Sequence, residues 1–137
     1  MKRLWIDYGY TSLNHYGEEL CGDNVEISVN DEWTTLVLAD GLGSGVKANI
    51  LSTLTSKILC TMTAGGADMQ DCVETIIQTL PVCKERQVAY STFSLIHVNN
   101  EGEGHLFEFD NPEAIWYHNG HTTDFPRVEL DICGKKV

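Results

Sequence analysis

The 137-residue chain carries 9 basic and 20 acidic side chains, a formal net charge of −11, with 42% hydrophobic and 21% charged residues. These are the proportions of one ordinary soluble globular domain, or a piece of one. The negative field repels a phosphate backbone, which argues against nucleic acid as a partner. No run approaches the ~20 apolar residues needed to cross a bilayer, so no membrane contact is expected of this segment.

The N-terminal Leu4, Ile6 and Tyr8 alternate with Trp5 and Asp7 and predict an opening strand. Asp7 interrupts the apolar stretch too early for a secretory signal. Val25, Ile27 and Val29 alternate next, ahead of an Asn30-Asp31 turn. Leu36 to Ala39 is a short continuous apolar run, the pattern of a strand buried on both faces. These two segments predict an antiparallel hairpin. The period then changes to three and four: Val46, Ile50, Leu51, Leu54, Ile58, Leu59 and Met62 predict one buried helical face.

Gly65-Gly66 ends that helix. Asp68 can cap a second one with Met69, Val73, Ile76, Ile77 and Leu80 inward, and Pro81 stops it. Tyr90 to Val98 reads as a strand, Asn99 to Glu103 as a hairpin loop, and Leu106 to Phe109 and Ala114 to Tyr117 as further strands. Asn119-Gly120 is the strongest hairpin signal, because both residues tolerate the positive φ of a type I′ turn. Strands, two helices, then strands make an α+β class, with helices layered on antiparallel sheet.

The cysteines Cys21, Cys60, Cys72, Cys83 and Cys133 include no C-x-x-C pair. An odd number without a signal peptide predicts reduced thiols in the cytoplasm and no zinc site, with Cys60 and Cys72 as core residues. The five histidines show no ligand spacing; His118 and His121 flank the hairpin turn. Trp5, Trp33 and Trp116 read as packing residues.

The segment Leu36-Val-Leu-Ala-Asp40-Gly41-Leu42-Gly43-Ser44-Gly45 carries the chemistry. It fails the P-loop pattern, since Lys47 is followed by Ala48, and it fails G-x-G-x-x-G, since position 46 is valine. What remains is an aspartate at a strand end followed by glycine. Asp40 can bind a hard cation, and the Gly41 carbonyl is uncrowded. Asp23, in Gly22-Asp23-Asn24, precedes the Val25 strand and falls at the same open end of the hairpin. Two carboxylates there repel unless a divalent cation lies between them. On the residues alone, Asp-Gly and Gly-Asp-Asn also read as turn chemistry.

Gly22-Asp23-Asn24, Ala39-Asp40-Gly41-Leu42-Gly43-Ser44-Gly45 with Ala48, Ser91-Thr92-Phe93 and Phe109-Asp110-Asn111-Pro112 occur in the order of successive landmarks of stage II sporulation protein E-type phosphatases. The chain resembles that family from about Asp7 to its end. The family belongs to the type 2C, Mg2+- or Mn2+-dependent serine/threonine phosphatases. The resemblance implies an α-β-β-α sandwich of two antiparallel sheets flanked by helices, here one domain portion (1–137) incomplete at its C-terminus. It implies Asp23, Asp40 and the Gly41 carbonyl as metal ligands for Mn2+ or Mg2+, two ions in the complete domain. Metal-activated water then hydrolyses phosphoserine or phosphothreonine on a regulatory protein.

No arginine lies between Arg3 and Arg86, which fits the sporulation branch rather than other type 2C enzymes. The family's later Ser-Asp-Gly segment and final aspartate do not occur, so the chain alone is expected to be weakly active or inactive. Self-association through uncovered sheet edge is a further expectation. The rivals are a non-catalytic interaction module on the same fold and a hydrolase of small phosphate esters. Gly41→Val is expected to harm metal binding more than folding, and Asn111-Pro112 to shape a loop near the site without catalysing.

Overall fold

A four-stranded antiparallel sheet, ordered β1-β2-β5-β6, forms the centre of the molecule. The computed structural model describes residues 5–13, 21–41, 45–79, 82–83, 88–89, 91–132 and 135–137. In chain order the elements are β1 (Asp23–Val29), β2 (Trp33–Gly41), α1 (Gly45–Ala64), α2 (Met69–Thr79), β3 (Val82–Cys83) and β4 (Val88–Ala89). Then come β5 (Ser91–Asn99), β6 (Gly104–Phe109), β7 (Trp116–His118), β8 (His121–Thr123), β9 (Asp131–Ile132) and β10 (Lys135–Lys136). The short strands pair as the ladders β3–β4, β7–β8 and β9–β10.

Both helices join one core with the sheet. Val37, Ala39, Phe93, Leu95 and Phe109 from the strands meet Leu51, Leu59 and Cys60 of α1 and Met69, Cys72, Val73 and Ile76 of α2. Burial pushes the Cys60 and Cys72 thiols up from their ordinary range, the behaviour of packed, unreactive sulfur. The helical face differs from the predicted one. α1 buries Ala48, Leu51, Ser52, Thr55, Ser56, Leu59, Cys60 and Thr63, while Val46, Ile50 and Leu54 are exposed.

The reason is close approach of helix to sheet. Small side chains line the contact, and their hydroxyls are satisfied within the helix: Thr55 donates to the Leu51 carbonyl at 2.7 Å and Ser56 to that of Ser52 at 2.9 Å. Apolar periodicity alone misses a face built of serine and threonine. α1 ends as predicted, with Gly65 N donating to Thr61 O and Gly66 N to Thr63 O. Asp68 caps α2 by accepting from the amides of Gln70 and Asp71.

Three other expectations are corrected. Residues 5–13 form no strand, and Trp5 is 91% exposed rather than packed. β2 is fully buried along one face, where Thr35, Val37, Ala39 and Gly41 face the helices, whereas on the other face Thr34 is buried, Leu36 half-buried and Leu38 46% exposed. Both helices lie on the same side, so an unbroken apolar run did not mean two covered faces. Leu80 and Pro81 lie outside the described residues.

The turns follow their local chemistry. The Asn30 side chain accepts from the amides of Glu32 and Trp33, closing β1–β2. Asn99 does the same with Glu101 and Glu103, closing β5–β6. Asn119 and Gly120, with φ of 51° and 80°, make the type I′ turn between His118 and His121. Trp33 stacks on His97 with ring centroids 4.0 Å apart, and Trp116 meets Phe125 edge to face. A cavity of about 870 Å³ lies along the β6 edge, with Trp116 and Phe125 across from Ile96 and Leu106. The fold is α+β.

Candidate metal centre

The register of the β1–β2 hairpin sets Asp23 directly opposite Asp40. Directly paired residues of an antiparallel ladder point to the same face, here the face away from the helices. The pair therefore sits at the open end of the hairpin. The opposite end is closed by the Asn30 turn. Asp40 carries the electrostatic mark of this placement: its carboxyl is pushed up to about 6, first by partial burial, then by a hydrogen bond with Asp23 and by repulsion from it. A divalent cation between two such carboxylates would relieve that repulsion and compete with protons for Asp40. As a residue Asp40 remains solvent-exposed, so the end is open to an incoming ion.

Backbone and side-chain bonds hold this end in place. Gly41 N donates to Gly22 O at 2.9 Å, extending the ladder past Asp23. Asn24 donates to the Ser56 hydroxyl of α1 at 2.6 Å, and Asn49 of α1 donates to the Cys21 carbonyl at 2.8 Å. The Gly22-Asp23-Asn24 segment is thus anchored to the helix on both sides of Asp23. The Asp23 amide donates to the Cys21 sulfur, which also accepts from Ser12. A cleft of about 370 Å³ opens beside Asp23, walled by Tyr10, Ser12, Leu13, Val25 and Leu38.

Gly41 has a steric reason to be glycine. A Cβ placed there would lie 2.2 Å from the carbonyl oxygen of Ala48 and 2.8 Å from its Cα. The glycine lets α1 pass directly over the end of β2. A valine must displace the helix backbone, so Gly41→Val is expected to cost folding stability as well as any metal binding. The Leu42-Gly43-Ser44 turn lies outside the described residues.

The other landmarks converge on the same end. Thr92 pairs with Asp40 across β2–β5, Ser91 with Gly41, and Phe93 with both Ala39 and Phe109. Asp110 and Asn111 follow directly after β6. Asp23, Asp40, Thr92 and Asn111 therefore run across four strands at one sheet end, although they come from four distant sequence positions. The bonds from Asn24 to Ser56 and from Asn111 to Thr92 leave no trace in periodicity or spacing, because each joins polar residues of separate elements.

The donor set suits a hard divalent cation: two carboxylates, with no thiolate or imidazole at the pair. Among the described residues, no group of three or more His, Cys, Asp or Glu side chains converges to hold a metal. Among those residues also, no helix is long and apolar enough to cross a membrane.

Comparison with known proteins bears on the family and the fold. The family model described as Stage II sporulation protein E (SpoIIE) matches residues 30–132. Asp40 and Gly41 lie inside that stretch and Asp23 just before it. No match is found among curated proteins. Among solved structures, the chain is similar to the PP2C phosphatase domain with a fragment of the regulatory domain of the cell fate determinant SpoIIE from Bacillus subtilis. The TM-score is 0.74 at 18% identity, over 89% of this chain and 36% of that one. It is also similar to RsbX, crystallised in complex with magnesium, with a TM-score of 0.53 at 23% identity over 70% of this chain and 55% of that one. The chain thus spans about a third to a half of the structures it matches, and these likenesses establish a PP2C-type fold. With a family model matched over more than half of its length, the chain belongs to the stage II sporulation protein E family.

Proposed function

We propose that this chain is the portion of a metal-dependent protein serine/threonine phosphatase domain that supplies Asp23 and Asp40 as ligands for Mn2+ or Mg2+. The observation that carries the reading is the direct cross-strand pairing of Asp23 with Asp40, which pushes the Asp40 carboxyl up to about 6 together with its partial burial. Family membership supports phosphatase chemistry at the coarse level. The substrate under this reading is a phosphorylated regulatory protein, and the setting is the cytoplasm.

The residues have separable tasks. Asp23 and Asp40 hold the cation, which requires that Asp40 lose its proton. Gly41 seats α1 over the strand end and offers its carbonyl to the same site. Asn24 and Asn49 keep the Asp23 backbone against α1. When bound, a divalent cation supplies Lewis-acid activation of water and neutralises charge on a phosphoryl group. No side-chain nucleophile is assigned, because water is the attacking group under this reading.

The second reading is a non-catalytic interaction module on the same fold. It is favoured by one observation: among the described residues no group of three or more His, Cys, Asp or Glu side chains converges to hold a metal. A Mn2+ titration of the purified chain, wild type against Asp40→Asn, followed by turnover of a phosphoserine peptide, separates these readings. Saturable Mn2+ binding that Asp40→Asn abolishes supports the metal site, and weak Mn2+-dependent turnover supports the enzyme. Equal Mn2+ binding by both proteins would sink the metal assignment.

A further inference from the structure

The Asn111 carboxamide makes three hydrogen bonds to two strands other than the one it follows. Its Oδ1 accepts from the Thr92 hydroxyl at 2.6 Å, and its Nδ2 donates to the Ser94 hydroxyl at 3.1 Å and to the Leu38 carbonyl at 3.4 Å. Thr92 is the cross-strand partner of Asp40, and Leu38 lies two residues before Asp40 on β2. The side chain reaches them because Asp110 takes a left-handed conformation, φ 54°, which turns the chain sharply back after β6. Aspartate tolerates that region better than most residues, but the conformation is still held by its surroundings rather than chosen locally. Proline at 112 follows directly and stiffens the loop.

From this geometry we infer that Asn111 is a positioning residue for the metal end, clamping β6 to β5 and β2 so that Asp40 is held in register beside Asp23. The inference rests on the metal-site reading above. Two carboxylates at an open sheet end repel, and their repulsion favours fraying of the strands that carry them. Asn111 opposes this from the far side of Asp40, while the Gly41-to-Gly22 backbone bond opposes it from the near side. The clamp also commits the Thr92 hydroxyl proton to Asn111 Oδ1. Thr92 therefore does not spend that proton on Asp40, whose oxygens stay available to a cation. The groups that orient metal ligands typically change affinity roughly ten- to a hundredfold when removed.

The test measures Mn2+ affinity of the whole chain by electron paramagnetic resonance of free Mn2+, alongside urea unfolding. Asn111→Ala is expected to weaken Mn2+ binding about tenfold with a fold that stays cooperative. Thr92→Val should lose a comparable factor, Thr92→Ser should restore it, and the double variant Thr92→Val/Asn111→Ala should lose little more than either alone. Asp40→Asn runs in parallel. If Asp40→Asn loses Mn2+ while Asn111→Ala and Thr92→Val bind like wild type, the positioning role is overturned and the metal site stands. If Asp40→Asn also binds like wild type, both fall. Should Asn111→Ala fail to fold, the Thr92 pair decides, and equal affinity of the valine and serine variants overturns the inference.

Discussion

The two ends of the four-stranded sheet are built on opposite principles. At the closed end, Asn30 and Asn99 each accept two amides of their own turn, and Trp33 lies flat on His97. Asn100 N also donates to Glu32 O, joining the two turns. Almost every contact there is local in sequence or between neighbouring hairpins. At the open end, Asp23 and Asp40 face each other in a repulsive pair, held by bonds from Asn24, Asn49 and Asn111 that reach other elements. One end satisfies its polar groups by itself. The other leaves two carboxylates under-compensated and depends on the rest of the molecule to hold them. That asymmetry is the usual form of a binding site on a stable scaffold, where strain is kept local and supported from outside.

The largest test of the contrast is Gly41→Val. The clash with the Ala48 backbone predicts a loss of about 3 kcal/mol or more, because a helix must move rather than a side chain. Urea unfolding by circular dichroism measures it. A near-normal midpoint would mean that α1 is less tightly seated over the open end than the structure shows.

Acidity gives the next effect. Asp40 is raised from 3.8 to about 6, so the folded chain binds more protons than the unfolded one between those values. Without metal, the contribution of Asp40 to stability is therefore present at low pH and is lost as pH rises through about 6. A cation competes with the same proton. Mn2+ affinity should fall roughly tenfold from about pH 7.5 to about pH 5, read by calorimetric titration. Affinity independent of pH over that range would remove Asp40 from the site.

The smallest test addresses the closed end. Asn30→Ala removes two hydrogen bonds to turn amides and should cost about 1 kcal/mol of stability. Mn2+ affinity should stay within about twofold of wild type, since the turn lies a full strand length away from Asp23. A large loss of affinity would show that the two ends are not independent.

Much of this architecture was legible in the chain itself. The turn asparagines, the Asn119-Gly120 hairpin, the Asp68 cap and the end of α1 rest on backbone preferences of a few adjacent residues, and such preferences do not need a tertiary partner. The hairpin pairing of Asp23 with Asp40 was also within reach, because alternating strands joined by a short turn have one natural register. Other features only the folded molecule decided. Val46, Ile50 and Leu54 were expected inside and lie outside, because the helix approaches the sheet through serine and threonine, whose polarity hides their burial. The steric need for glycine at 41 is set by Ala48 on another element. Asn111 is on the page of the sequence only as part of a loop, and its three bonds exist because β2 and β5 arrive beside it. Local chemistry could be read one residue at a time; contacts between elements depend on distances that no single segment contains.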